Sequence, residues 1–216
     1  MISQTFSESD LQFTFGADWI VKKYDDHTYF KILAGHGLKG VDFIGIHRRE
    51  RLYLIEIKNY KHRSYSPVGP DKSNLEGERP YLAVHIYHKI ADSLRLIRIV
   101  NKYLSSRWWF PFASFIRRLL KITSIKKDWH FWVIVGELSQ KASAVYPVLW
   151  LEICPDKDAN SILNQTQILA SIKETYNLEN KLETEAFQIT SLDKHVSDRI
   201  LPDVKVIEVV EGKKNR

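Results

Sequence analysis

Two apolar runs separated by a charged break dominate the first third of the chain. Residues 41–46 (Val-Asp-Phe-Ile-Gly-Ile) and 52–57 (Leu-Tyr-Leu-Ile-Glu-Ile) flank His47-Arg48-Arg49-Glu50-Arg51. Their β-branched and aromatic content, bounded by polar residues, predicts a β-hairpin. If the loop is Arg48-Arg49-Glu50, His47 faces Arg51 and the numbers of paired residues sum to 98. Asp42 then falls opposite Glu56, with β-carbons within about 5.5 Å. Glu56 and Lys58, two apart on a strand, point to the same face. A two-residue turn would put the two acids on opposite faces, so the pairing depends on the odd loop length.

The pattern elsewhere is mixed. Residues 11–15 alternate like a short strand, and 19–24 read as a strand or a first helical turn. Asp25-Asp26 precede residues 27–33, which end near Gly35, a short helix bracketed by an N-cap acid and a terminal glycine. Pro67, Gly69, Pro70, Gly77 and Pro80 mark a long loop after Tyr60. A helix is expected over 81–104, where Leu82, Ile86, Ile90, Leu94 and Ile97 fall on one stripe. Lys89 sits at the edge of that stripe and His85 one turn earlier. Residues 129–137 and 145–153 read as strands of a buried sheet, with Pro147 near an edge or a strand start. A helix over 161–176 and strands near 187–190 and 204–210 complete an α/β pattern, a mixed sheet flanked by helices.

Composition narrows the function classes. At 216 residues, the chain can bury a sizeable core as a single domain. One cysteine, Cys154, excludes an internal disulfide and fits a reducing cytoplasm. No signal peptide and no apolar run long enough to span a membrane are visible. Charge is distributed unevenly: residues 1–58 are neutral, 59–127 carry +10 and 128–216 carry −4. The excess follows the hairpin directly, where a polyanion would be held; the plain alternative is a solvated basic face. Residues 107–127 turn from aromatic to basic-amphipathic. Packing as a satellite core is the default reading there, beside a membrane surface or a base-stacking platform.

The hairpin carries the chemistry. Two carboxylates converging on a greasy strand pair repel and lose solvation, a cost that a divalent cation removes. Hard oxygen donors on rigid strands suit Mg²⁺, which retains several waters and takes a substrate phosphate. Lys58, aimed at the same place, would orient an attacking water or stabilise a developing anion. The bland alternative is a solvated hairpin end whose acids and lysine are ordinary surface charges.

Asp42, Glu56 and Lys58 in this setting resemble the PD-(D/E)xK nuclease superfamily, with Val41 where the family has proline. The likeness covers about 20 residues. It implies a restriction-endonuclease-like core spanning about residues 18–138, followed by a C-terminal extension over 139–216. It further implies Asp42 and Glu56 as metal ligands for Mg²⁺ (with Mn²⁺ as substitute) and Lys58 as the catalytic lysine. An added acid from an early helix, Asp26 or Asp25, and a helix residue such as Lys89 become candidates; their structural readings are a helix cap and a snorkelling lysine. Lys61 and Arg63 are candidates for contacting a nucleic-acid backbone. The expected function is metal-dependent hydrolysis of nucleic acid, most of all DNA, with a catalytically silent nucleic-acid or protein-binding module as the alternative. Oligomeric state stays open, a homodimer included.

Overall fold

Two β-sheets stack face to face, and helices cover the far side of the larger one. A computed structural model describes residues 3–24, 39–60, 72–107, 128–152, 167, 169–177, 187–192 and 194–209. The smaller sheet is antiparallel and pairs β1 (Gln4–Glu8), β2 (Leu11–Phe15) and β8 (Val204–Glu208) in that order. The larger orders β3 (Trp19–Lys23), β4 (Phe43–His47), β5 (Arg51–Asn59), β6 (Val145–Glu152) and β7 (Gln188–Thr190). β3, β4 and β5 form an antiparallel meander, whereas β6 and β7 join in parallel. The result is a mixed α/β sheet flanked by helices.

Strand parity explains why this arrangement forms. Ile44, Ile46, Leu52, Leu54, Leu149 and Leu151 face α1 (Lys72–Ser105) and α2 (Asp128–Ser139) in one buried cluster. Phe43, Tyr53, Ile55, Ile57, Val148 and Trp150 face Leu11, Phe13, Phe15 and Val204 in the other. The sheet is therefore apolar on both sides, so its strands read as continuous hydrophobic runs. The β4–β5 register pairs His47 with Arg51 and Phe43 with Ile55, in line with the three-residue loop. Arg48 and Arg49 take positive φ angles of 50° and 60° to make that turn.

Two expectations need correction. Residues 129–137 form no strand; they lie in α2. Phe131, Trp132, Val133, Ile134, Val135 and Leu138 are all buried there, because this helix lies between α1 and the sheet. A helix apolar all round shows no 3.6-residue period, and its aromatic and β-branched residues imitate a strand. The second correction concerns the loop after Tyr60: the helix already begins at Lys72, so Gly77 and Pro80 lie within it. One proline removes a single backbone bond, which a helix of 34 residues absorbs. The strand expected over 145–153 is present as β6, which runs beside β5 over its whole length. Pro147 occupies the third position of β6, and pairing with β7 starts only at Val148, so its missing N–H leaves no gap in that ladder.

Other readings stand where residues are described. Residues 11–15 and 19–23 are strands, and 169–177 are helical. Pattern alone missed β1 and the short α3 (Lys194–Ile200). The expected helix at 27–33, with Asp25 and Asp26, and the segments holding Lys61, Arg63 and residues 108–127 lie outside the described residues. Among the described residues no helix is long and apolar enough to cross a membrane.

Gly40 sits where the chain enters β4, and a Cβ there would overlap the buried Tyr24 ring. Gly40→Ala should therefore cost about 1–3 kcal/mol in urea denaturation, the scale of overpacking. An unchanged midpoint would mean that the ring is not pressed on this segment.

Candidate functional site

Asp42, Glu56 and Lys58 all fall on the helix-facing parity of the sheet, at the end where β4 begins and β5 finishes. Their even-numbered neighbours, Ile44 and Leu54, are core residues beneath α1. Glu56 continues that row with no solvent exposure. An isolated carboxylate in such a place costs several kcal/mol, so it needs cations beside it. Two supply that charge: Lys58 Nζ lies 2.8 Å and Lys89 Nζ 2.6 Å from the same oxygen, Glu56 Oε1. Glu56 Oε2 is buried and accepts no hydrogen bond from the described residues.

Asp42 completes the group. Its Oδ2 accepts the Ile57 N–H at 2.7 Å, and its Oδ1 is 3.9 Å from Lys89 Nζ. Burial first, then the negative charge of Glu56, raise its pKa from 3.8 to about 6; Lys89 and the Ile57 N–H act against them. Lys89 thus stands between the two carboxylates, held by one and close to the other. One turn earlier on α1, His85 is kept below the usual imidazole range by burial and then by Lys89 and Lys58.

Placement of Asp42 relative to α1 relies on residues that pattern reading missed. The Ser93 hydroxyl, fully buried, donates to the Lys89 carbonyl at 2.8 Å and accepts the Val41 N–H at 3.0 Å. Asp92 accepts the Lys39 N–H at 3.2 Å. On the other side, the Tyr24 N–H donates to the Asp42 carbonyl at 2.9 Å. Residues 39–42 are therefore fastened between β3 and α1. The available signal was a serine set within an apolar helical stripe, four residues after Lys89. Of the sequence candidates, Asp42, Glu56, Lys58 and Lys89 come together; Asp26, Lys61 and Arg63 fall outside the described residues.

The donor set suits a hard dication. Glu56 Oε2 makes no hydrogen bond among the described residues, burial and Glu56 disfavour the ionised form of Asp42, and both acids offer oxygen. Among the described residues no group of three His, Cys, Asp or Glu forms. Mg²⁺ commonly takes only one or two carboxylates and keeps water in its other positions.

Comparison with known proteins adds little. No protein-family model and no solved structure matches the chain. A segment is 30% identical over 115 residues to the cysteine–tRNA ligase of Neisseria meningitidis serogroup A. That similarity covers 42% of this chain and only 16% of the ligase, so it assigns neither family nor activity.

The raised Asp42 pKa has a measurable consequence for the metal-free protein. The fold favours the protonated acid, so its contribution to stability is full below pH 3.8 and is lost as pH rises through about 6. Asp42→Asn keeps an acceptor for Ile57 and removes the charge. It should unfold later than the parent in urea at pH 8, by about 1–3 kcal/mol, with the gap closing at pH 4. A variant less stable at pH 8 would show that the ionised acid is well accommodated.

Proposed function

We propose that the protein is a metal-dependent nuclease that hydrolyses phosphodiester bonds of nucleic acid, DNA above all, with Mg²⁺ as its ion and Mn²⁺ able to replace it. The observation that supports this reading is Glu56 Oε2, a buried carboxylate oxygen with no hydrogen-bond partner among the described residues, on an acid that lies beside Asp42, Lys58 and Lys89. Asp42 and Glu56 would hold the ion. When bound, it supplies an activated water for attack on phosphorus and neutralises charge on the phosphate oxygens.

The remaining roles belong to the lysines. Lys58 is anchored on Glu56, yet its side chain keeps 27% exposure, so a substrate can reach the ammonium. It orients the attacking water or stabilises the oxyanion that develops. Lys89, more deeply set at 16% exposure, balances the two acids. Below pH about 6 Asp42 takes up a proton and cation binding weakens, so activity should decline there.

The two lysines on one Glu56 oxygen also support a second reading, a nuclease-fold binding module whose acids are already neutralised from within. Cleavage of labelled DNA in Mg²⁺ separates the two. Asp42→Ala and Glu56→Ala should each abolish cleavage while circular dichroism stays native. Lys58→Ala should still bind Mg²⁺ but lose on the order of a hundredfold in rate, the scale of one transition-state contact. Lys58→Arg should not restore it, because a planar fork does not replace a compact ammonium. If Asp42→Ala or Glu56→Ala cleaves like the parent, the site is misassigned.

A further inference from the structure

Beyond the site, α1 presents a second feature to solvent. Leu94, Leu96, Ile97, Val100 and Leu104 are buried against the core, whereas Arg95, Arg98, Ile99, Lys102 and Tyr103 are exposed. The exposed set has the i, i+3, i+4, i+7, i+8 spacing of a single helical face. Arg107 follows, with its guanidinium 4.6 Å from the centre of the Tyr103 ring. Residues 93–127 contain nine Lys and Arg and no Asp or Glu. A solvated helix face usually interleaves both signs, since like charges three or four residues apart cost about 0.2–0.5 kcal/mol a pair. Here that repulsion is not offset by any carboxylate of the same stretch.

We propose that this face of α1, from Arg95 to Tyr103 with Arg107 just beyond the helix end, is where the phosphate backbone of nucleic acid docks, an inference that rests on the nuclease reading. Arg95, Arg98 and Lys102 extend about 10 Å along the helix axis, comparable to about three nucleotides of one strand. Ile99 at 40% and Tyr103 at 45% exposure lie among the cations and give sugars and bases an apolar contact. The same helix carries Lys89 into the site, and Arg95 follows it by only about 9 Å along the axis. Six residues also turn the helix, so Arg95 points about 120° away from Lys89, and a strand held on this face reaches the site around the side of α1. An anionic bilayer fits less well. A helix lying in a membrane turns its broad apolar face to the lipid, and that face of α1 is already in the core.

The test compares the full chain with an Arg95→Gln/Arg98→Gln/Lys102→Gln variant. Glutamine keeps helix propensity, and all three positions are exposed, so the fold should be retained. Binding of a fluorescein-labelled oligonucleotide, single-stranded and duplex, is followed against salt concentration in EDTA, where metal-dependent cleavage is absent. The variant should bind both at least about tenfold more weakly, with the duplex log–log salt slope flatter by up to roughly 2.7. Asp42→Asn should keep the parental slope while losing cleavage in Mg²⁺. Equal binding by parent and triple variant would overturn this docking surface and leave the nuclease site standing. No binding and no cleavage by the parent would overturn both. Sedimentation of the parent with phosphatidylserine vesicles, lost in the triple variant while oligonucleotide binding is unchanged, would assign the face to a membrane instead.

Discussion

Glu56 places a carboxyl group at a position that strand parity reserves for hydrophobic residues. Its row on the helix-facing side of β5 begins with Leu52 and Leu54, beneath α1. A charge there persists only if the surroundings supply compensation with good geometry. Lys58 arrives by the same parity, two residues along the strand. Lys89 has to come from another element, and the depth and rotation at which α1 packs through Leu82, Ile86, Ile90 and Leu94 bring it there. Ser93 and Asp92 then reach from the following turn of α1 to the backbone of Val41 and Lys39, which sets Asp42 beside Ile57. The compensation of one carboxylate thus joins helix and hairpin.

The hairpin was legible because its loop is odd and charged. A three-residue break makes the numbers of paired residues sum to an even value, so Asp42, Glu56 and Lys58 share a face, and the observed pairing of His47 with Arg51 follows that rule. Lys89 was legible in part, since a lysine at the edge of an apolar stripe must lie close to whatever that stripe covers. The contact with Glu56 was not, because it depends on the rotation of α1 against the sheet. Residues 129–137 were misread for a physical reason: a helix buried on every side has no polar face to set its period. Gly136, pressed against Asn101 of α1, gives no hint of this in the sequence. β1 escaped notice because its inward residues are only partly buried and include Gln4 and Glu8.

The two sheets divide the labour of the fold. Phe13 packs edge-on against Trp150 and Phe43, and Phe15 lies tilted against Trp19, so the small sheet seals the underside of β3, β4 and β6 with aromatic contacts. Such pairs add about 0.5–1.5 kcal/mol each beyond their area. Trp19 also donates its indole N–H to the Pro202 carbonyl, which ties the end of the chain to the start of β3. With its underside fixed in this way, the strand pair can tolerate repelling acids at one end of the opposite face.

Charge balance relates the site to what it would bind. Asp42 and Glu56 contribute two negative charges and Lys58 and Lys89 two positive ones, so the ionised set is neutral without any ligand. On the proposed reading a dication leaves it with two positive charges in a partly desolvated place, which is unfavourable alone and favourable next to an anionic phosphodiester. Metal and nucleic acid would then bind cooperatively, each neutralising the charge that the other introduces. The lysines would have a different part in each state: without ligands they compensate Glu56, and on the proposed reading their charge would be directed to phosphate once ligands bind. Lys58 is the better placed for that change, since it leans on Glu56 from the more exposed side, whereas Lys89 is held deeper between the acids.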